Sequence, residues 1–387
     1  MKRGNNNSKK NMNSIQYHKK LKGKIEVISR TKIETKEDLS LAYTPGVAEP
    51  CREIAETPEK VYDYTRKGNL VGVITDGSAV LGLGNIGPEA SLPVMEGKCI
   101  LLKEFAGVDA FPIALTTQDE DEIVETIVRI SPMFGGINLE DISAPRCFSI
   151  EKKLQERLDI PVFHDDQHGT AIVVLAGLYN ALKLADKKIE DIKIVISGAG
   201  AAGIAIGKLL EYAGAKHILY FDSKGLLCKD REKLNKEKQR IAEGTECPEC
   251  GIDFSCVLKG ADVFVGVSAG DILTADMVSG MAEKSIVFAM ANPTPEIMPD
   301  EAKKGGAYIV ATGRSDFPNQ LNNVLAFPGI FRGLLDARIK VVTTEMKLVV
   351  AQALAEYVEE PTVDCIIPSP LDKGVVNVVA EAVKGVV

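Results

Sequence analysis

Two histidines and two aspartates fall within five consecutive positions, His164-Asp165-Asp166-Gln167-His168, in the stretch VFHDDQHGTA at 162–171. Imidazoles at this spacing suit zinc, whereas carboxylates suit a hard cation. A second acidic pair, Glu140 and Asp141, ends the apolar run GINL and precedes a loop containing Pro145. In an open α/β sheet ligands collect at the carboxyl ends of strands, and His-Asp-Asp also ends an apolar run, so the two pairs can converge. Three or four carboxylates in one cleft repel each other unless a cation neutralises them, and an oxygen donor set selects Mg²⁺ or Mn²⁺ over zinc. Zinc would need further ligands, and only His18, near the amino-terminal tail, and His217, at a strand start, remain. We read His164 and His168 as structural or as supports behind the ligands.

A third feature is SGAGAAG at 197–203, in which Gly198, Gly200 and Gly203 follow an apolar strand and open a helical run. Glycines there let the backbone, with Ala201 and Ala202, turn tightly and approach a pyrophosphate at the helix N-terminus. Asp222 ends the next strand 19 residues beyond the last glycine, where a ribose hydroxyl needs an acceptor. By itself Asp222 favours NAD, because a carboxylate repels the 2′-phosphate of NADP. Ser223 and Lys224 follow at once and could hold that phosphate, so both NAD and NADP stay open.

These residues need a scaffold of parallel strands. From residue 70, β-branched runs alternate with amphipathic ones: LVGVIT 70–75, DAFPIAL 109–115, GINLEDI 136–142 and IPVFHD 160–165, then DIKIVISG 191–198, HILYFD 217–222, ADVFVGV 261–267, SIVFAMA 285–291 and AYIVAT 307–312. Between them, DEDEIVETIVRI at 119–130 reads as a helix with acids at its N-terminus, and GTAIVVLAGLYNALKLAD at 169–186 as a buried helix joining two halves. The fold class is therefore α/β with two domains: an N-terminal α/β catalytic domain over 14–165 and a C-terminal Rossmann-type dinucleotide-binding domain over 166–387. The first 13 residues, basic and polar, read as a disordered tail.

At 387 residues and 45% hydrophobic the chain can fill two cores, and a net charge of −8 argues against nucleic-acid binding. No apolar run approaches a membrane span, and the start does not look like a signal peptide. Eight dispersed cysteines fit free thiols in a reducing, cytoplasmic setting. Cys247-x-x-Cys250, with Cys256 nearby, is half of a zinc site; the second C-x-x-C is missing and Cys228 lies at an unusual spacing, so free thiols in a variable surface loop are the expectation.

The chain resembles the malic enzymes in their short, bacterial-type form, over nearly its whole length. The resemblance is carried by DLSLAYTPGVAEPCR at 38–52, TDGSAVLGLGNIGPEASLPVMEGK at 75–98, NLEDISAPRCF at 138–148, FHDDQHGTA at 163–171, ANPTPEI at 291–297 and NQLNNVLAFPGIFRG at 319–333. It implies oxidative decarboxylation of (S)-malate to pyruvate and CO₂, with NAD(P) and with Mg²⁺ or Mn²⁺. It assigns the metal to Glu140, Asp141 and Asp166, the general base to Lys98 with its pKa lowered by burial and the cation, the acid to Tyr43, and a supporting acid to Asp165. Asn292 and Asn323 match substrate-contacting amides, with Asn292 and Asn322 also near the nicotinamide. One departure is TDGSAV: longer members carry an arginine after TDG, so carboxylate binding falls to Ser78, the asparagines or a neighbouring subunit. That gap and the apolar C-terminal run point to a homodimer. An amino-acid dehydrogenase on the same plan, or a silent nucleotide-binding regulator, are the alternatives.

Overall fold

A computed structural model describes residues 12–249 and 251–386. The tail expected over 1–13 lies outside the described residues up to residue 11, and Asn13 caps the helix Ser14–Leu21 by accepting from Gln16 N. Two parallel sheets carry the fold. The first contains β1 (Leu70–Thr75), β2 (Asp109–Ala114), β3 (Gly136–Leu139) and β4 (Val162–His164) in the order β2-β1-β3-β4. The second contains β5 (Lys193–Ser197), β6 (His217–Asp222), β7 (Gly225–Leu226), β8 (Val263–Gly266), β9 (Ile286–Ala289) and β10 (Ile309–Thr312), ordered β10-β9-β8-β5-β6-β7 with only β7 antiparallel. Both orders reverse direction beside the first strand, and the loops after such strands form the crevice where α/β proteins take ligands.

The strands read as continuous apolar runs because helices cover both faces; β3, β4, β8, β9 and β10 are buried throughout. Helix Asp165–Ala185 joins the sheets, with Ile172 to Ala176 fully buried. Contrary to the sequence expectation, this helix has the length and apolarity to cross a membrane, but its apolar surface is spent inside the protein core. Residue 165 separates the sheets in sequence. After β10 the chain folds back on the first sheet: Phe331 meets Phe163 edge-on at 6.0 Å, and Arg332 bonds Asn69 at 2.6 Å.

The segment from 228 to 258 departs from the expected free-thiol loop. It packs the helices Lys236–Glu243 and Phe254–Leu258, and Cys228 is bonded to Cys247. The reason is local: Lys229 N donates to Thr245 O at 3.0 Å, which brings the two ends together beside buried Leu226 and Leu258. The amino-terminal arm is the opposite case. Helices Ser14–Leu21, Lys36–Ala42 and Ala48–Glu56 bury no residue, and Ile15, Val27, Ile28 and Leu41 are exposed.

Candidate active site

The chain turns sharply at the end of β3. Glu140 N still donates to Ile74 O of β1 at 2.9 Å, and the next residue, Asp141, takes φ +53°. That conformation suits Asp among non-glycine residues, because its short side chain tolerates the left-handed region. Ala79 N donates to Asp141 O at 2.9 Å, fixing the loop after β1 against this turn. Asp165 and Asp166 begin the helix that follows β4, where the macrodipole favours carboxylates. Asp141 N donates to Asp166 Oδ2 at 2.7 Å, joining the two acidic pairs.

One ligand oxygen from each of Glu140, Asp141 and Asp166 lies within 4.8 Å of the other two. Burial pushes the Glu140 carboxyl well above its ordinary pKa, and Asp166, Asp165 and Asp141 add to that push. Three crowded oxygen donors, two buried and Asp166 half-buried, are what a small hard dication fits. Among the described residues no histidine joins the set. His164 Nε2 lies 3.1 Å from Asp166 Oδ2 while its Nδ1 faces Gln167 Nε2 at 2.7 Å, so it orients the Asp166 carboxylate.

His168 turns away, to Glu151 at 2.9 Å and Lys347 at 3.0 Å. Sequence reasoning missed Glu151. It lies buried in helix Arg146–Arg157, and it also accepts from His164 N at 3.1 Å and Gln167 Nε2 at 3.2 Å. Burial would raise its pKa, but His168, His164 and Lys347 hold it down at about 2. Burial lowers the pKa of His168 itself, so near neutrality this contact is a hydrogen bond, which becomes an ion pair in acid. Glu151→Ala strands three buried donors and should cost about 3 kcal/mol in urea unfolding at pH 7. Because the folded pKa is depressed, this contribution is complete above the unfolded value of about 4.3 and fades as pH falls towards about 2. An equal cost at pH 7 and pH 2 would contradict it.

Lys98 projects from helix Pro88–Ala106 into the carboxylates. Its Nζ lies 3.0 Å from Glu140 Oε1, pairs more closely with Asp165 Oδ2, and sits 4.7 Å above the centre of the Phe327 ring. Burial alone would lower its pKa, but Asp165, Glu140 and Asp166 raise it above the ordinary lysine value, the reverse of the expected lowering. Neutralising those carboxylates would leave burial as the ruling influence. Asn323 Nδ2 donates to the same Asp165 Oδ2, while Asp165 Oδ1 is buried with no hydrogen-bond partner. Gly169 makes room for it: a Cβ there would stand 1.9 Å from Oδ1.

The glycine loop is built as its spacing requires. Gly198 has φ +114°, and a Cβ on Gly203 would stand 1.8 Å from Gly198 O. Gly200 faces open space, with nothing within 4 Å of its would-be Cβ, which leaves the backbone approachable at the N-terminus of helix Ala201–Tyr212. Asp222 ends β6 with both oxygens engaged: Arg231 at 3.0 Å and Lys224 N at 2.9 Å on Oδ1, Lys238 at 2.8 Å on Oδ2. Burial raises its pKa, but these contacts win and lower it. Ser223 and Lys224 are exposed beside it.

Family models match this chain as the malic enzyme N-terminal domain over residues 22–155 and the malic enzyme NAD binding domain over 167–384. The chain belongs to the malic enzyme family. It is 57% identical over 373 residues to a bifunctional malic/malolactic enzyme of Bacillus subtilis, covering 96% of this chain and 91% of that one. It is 56% identical to an NAD-dependent malic enzyme of Geobacillus stearothermophilus over 93% of this chain and 76% of the relative. The crystal structure of an NAD-dependent malic enzyme from Thermotoga maritima superposes with a TM-score of 0.93 at 49% identity, covering 97% of this chain and 99% of that one.

Within this malic enzyme fold the remaining expected residues divide. Asn323 joins the Lys98 cluster, as described above. Asn322 accepts from Val324 N at 2.9 Å and so caps the short turn that carries Asn323. Asn292, exposed after β9, packs its carbonyl 2.4 Å from the would-be Cβ of Gly82, so the loops after β1 and β9 touch. Ser78 does not serve as expected. Its hydroxyl donates to Asp76 at 2.5 Å and accepts from Ser143 N at 2.9 Å and Arg146 at 3.0 Å, so it is used up in holding the loop. Arg146, another residue the sequence reading passed over, clamps that loop through Asp76 at 2.9 Å. Tyr43 is not brought to Lys98: it ends helix Lys36–Ala42, is 66% exposed, and makes no side-chain hydrogen bond among the described residues.

Proposed function

We propose that this malic enzyme converts (S)-malate to pyruvate and CO₂ with reduction of NAD(P), and that it requires Mg²⁺ or Mn²⁺. The observation that carries this reading is the buried cluster of Lys98 with Glu140, Asp141, Asp165 and Asp166 at the carboxyl end of the first sheet. Bound there, the dication supplies a Lewis acid beside the substrate oxygens, and NAD(P) at the glycine loop supplies the hydride acceptor. Lys98 takes the proton of the malate C2 hydroxyl as hydride leaves C2. Asp165, aligned by Asn323, keeps the neutral Lys98 amine in position and pairs with the ammonium that this proton transfer forms. After CO₂ departs, Tyr43 gives a proton to C3. Product analysis tests the reading: NAD(P)H, pyruvate and CO₂ should appear in equal amounts. Lactate without NAD(P)H, an oxidised amino acid, or no turnover would each overturn it.

Arg231 and Lys238 cancel the charge of Asp222, and this supports use of both cofactors, with Lys238 serving the 2′-phosphate. A hydrogen bond to a charged group contributes about 1.5–3 kcal/mol. Lys238→Ala should therefore lower kcat/KM for NADP about tenfold more than for NAD, with malate and Mn²⁺ held constant. Equal losses would contradict the assignment.

The exposed arm supports a homodimer in which one copy's Tyr43 completes its partner's site, because three helices that bury no residue within their own chain, with Ile15, Val27, Ile28 and Leu41 exposed on the arm, leave apolar area to place elsewhere. Lys98→Ala and Tyr43→Phe proteins, each nearly inactive, should regain activity when mixed and allowed to exchange subunits. An inactive mixture of proven heterodimers would contradict this. The free thiols Cys51, Cys99, Cys147 and Cys365 support a cytoplasmic setting, the Cys228–Cys247 disulfide points the other way, and fractionation of the source cells decides between them.

A further inference from the structure

The helices Arg146–Arg157, Asp165–Ala185, Ala201–Tyr212 and Thr344–Glu356 line a cavity of about 340 Å³ that the proposed reaction does not use. It lies where the first domain meets the second, a place where small-molecule sites are common. Its wall is apolar along Phe148, Ala171, Ile204 and Leu209. Two other lining residues, Tyr212 and Lys152, are exposed, so the cavity opens to solvent.

Lys347 brings a positive charge into this space. It is half-buried and forms no direct ion pair with a carboxylate among the described residues. Its acceptor is the His168 ring, with Nδ1 at 3.0 Å, while Nε2 of that ring addresses Glu151 at 2.9 Å. Glu151 is also engaged by His164 N and Gln167 Nε2. An ammonium carries three donors, so Lys347 keeps N–H groups that the protein does not use. Burial lowers its pKa although Glu151 opposes that, as expected of an ammonium short of negative charge. The other lysines of the lining have partners: Lys208 lies 2.7 Å from Glu237, and Lys152 lies 3.9 Å from Glu156.

Three lysines against Glu151 and Glu237 leave the lining with a single positive charge in excess. Thr344 lies one turn before Lys347, on the same side of the helix and at the end where the macrodipole is positive. We propose that this cavity binds a small monocarboxylate with an aromatic or branched hydrocarbon body, its carboxylate on Lys347 and Thr344 and its body against Ile204 and Leu209. One negative charge matches the one that is uncompensated, and the hydrocarbon covers the apolar wall. Inorganic phosphate would bring excess charge and nothing for that wall. No step of the proposed reaction involves this cavity, and binding there is expected whether or not malate is the substrate.

The test is isothermal titration calorimetry of the full chain with benzoate, and with benzyl alcohol and inorganic phosphate for comparison, in EDTA and without malate or NAD(P). A crystal structure of the benzoate complex then locates the ligand. About one benzoate per chain should bind saturably and more tightly than either comparison, with its carboxylate beside Lys347 Nζ. Lys347→Gln should weaken binding about tenfold or more, because it removes a charge-assisted hydrogen bond, and Thr344→Val should weaken it less. The proposal would be overturned by no saturable binding, by benzyl alcohol or phosphate binding as tightly, by benzoate lying elsewhere in the crystal, or by undiminished binding in a folded Lys347→Gln protein. Should that variant not fold, the ranking of the three ligands and the position of benzoate in the unaltered chain decide the matter.

Discussion

Lys98→Ala should lower malate oxidation by about 10²–10⁴, because it removes the group we propose to take the C2 hydroxyl proton. The same variant should fail to reduce pyruvate to lactate, since that reaction also moves a proton at the C2 oxygen. Tyr43→Phe keeps the ring but loses the proposed acid for C3, so it should lose malate-to-pyruvate turnover while retaining appreciable pyruvate reduction. The ratio of the two rates in each variant is the measurement, with circular dichroism confirming the fold. Lys98 sits in direct ion pairing with Glu140 and Asp165, so its removal also leaves those carboxylates less well compensated. Mn²⁺ affinity measured alongside separates that effect from proton transfer: an activity loss that saturating Mn²⁺ repairs would show that Lys98 only balances charge. Equal losses in both reactions for Tyr43→Phe would show that the tyrosine positions substrate generally.

Asp166→Ala should abolish Mn²⁺ binding and nearly all turnover. Asp166 is both a member of the carboxylate triad and the link between the two acidic pairs, through Asp141 N. Losing a Lewis acid worth several kcal/mol corresponds to about 10³ or more in rate. His168→Ala should keep most activity at saturating Mn²⁺, because His168 addresses Glu151 and Lys347 rather than the triad. Its cost should appear in stability. Loss of the metal in the His168 variant alone would refute the carboxylate assignment.

Most strands were legible because they are apolar, β-branched runs closed by Gly, Asp, Glu or Asn; β2, with Phe111 exposed and Pro112 within it, and the two-residue β7 do not fit that pattern. The carboxylate cluster was legible for a related reason: Glu140–Asp141 and Asp165–Asp166 each end such a run, and parallel strands bring their carboxyl ends together. Glu151 was not legible. An acid in the middle of an amphipathic helix looks solvated, and it becomes a buried anchor only when His168 and Lys347, from two other helices, close over it. The cations on Asp222 were hidden similarly, since Arg231 and Lys238 come from the 228–258 segment, whose fold the local pattern does not declare. Ser78 shows a reading undone by neighbours: its position after TDG pointed towards substrate, but Asp76 and Arg146 claim its hydroxyl. Tyr43 is exposed because the helix it ends, Lys36–Ala42, buries no residue, and no pattern in the local sequence declares that exposure.

The central claim is that oxidation and decarboxylation of malate depend on a hard dication held by Glu140, Asp141 and Asp166. Protein stripped with EDTA and supplied with malate and NAD or NADP should give no rise in absorbance at 340 nm, and added Mn²⁺ or Mg²⁺ should restore it with pyruvate formed mole for mole. Full turnover in the stripped protein, or restoration by Mn²⁺ in Asp166→Ala equal to that of the unaltered chain, would contradict the account.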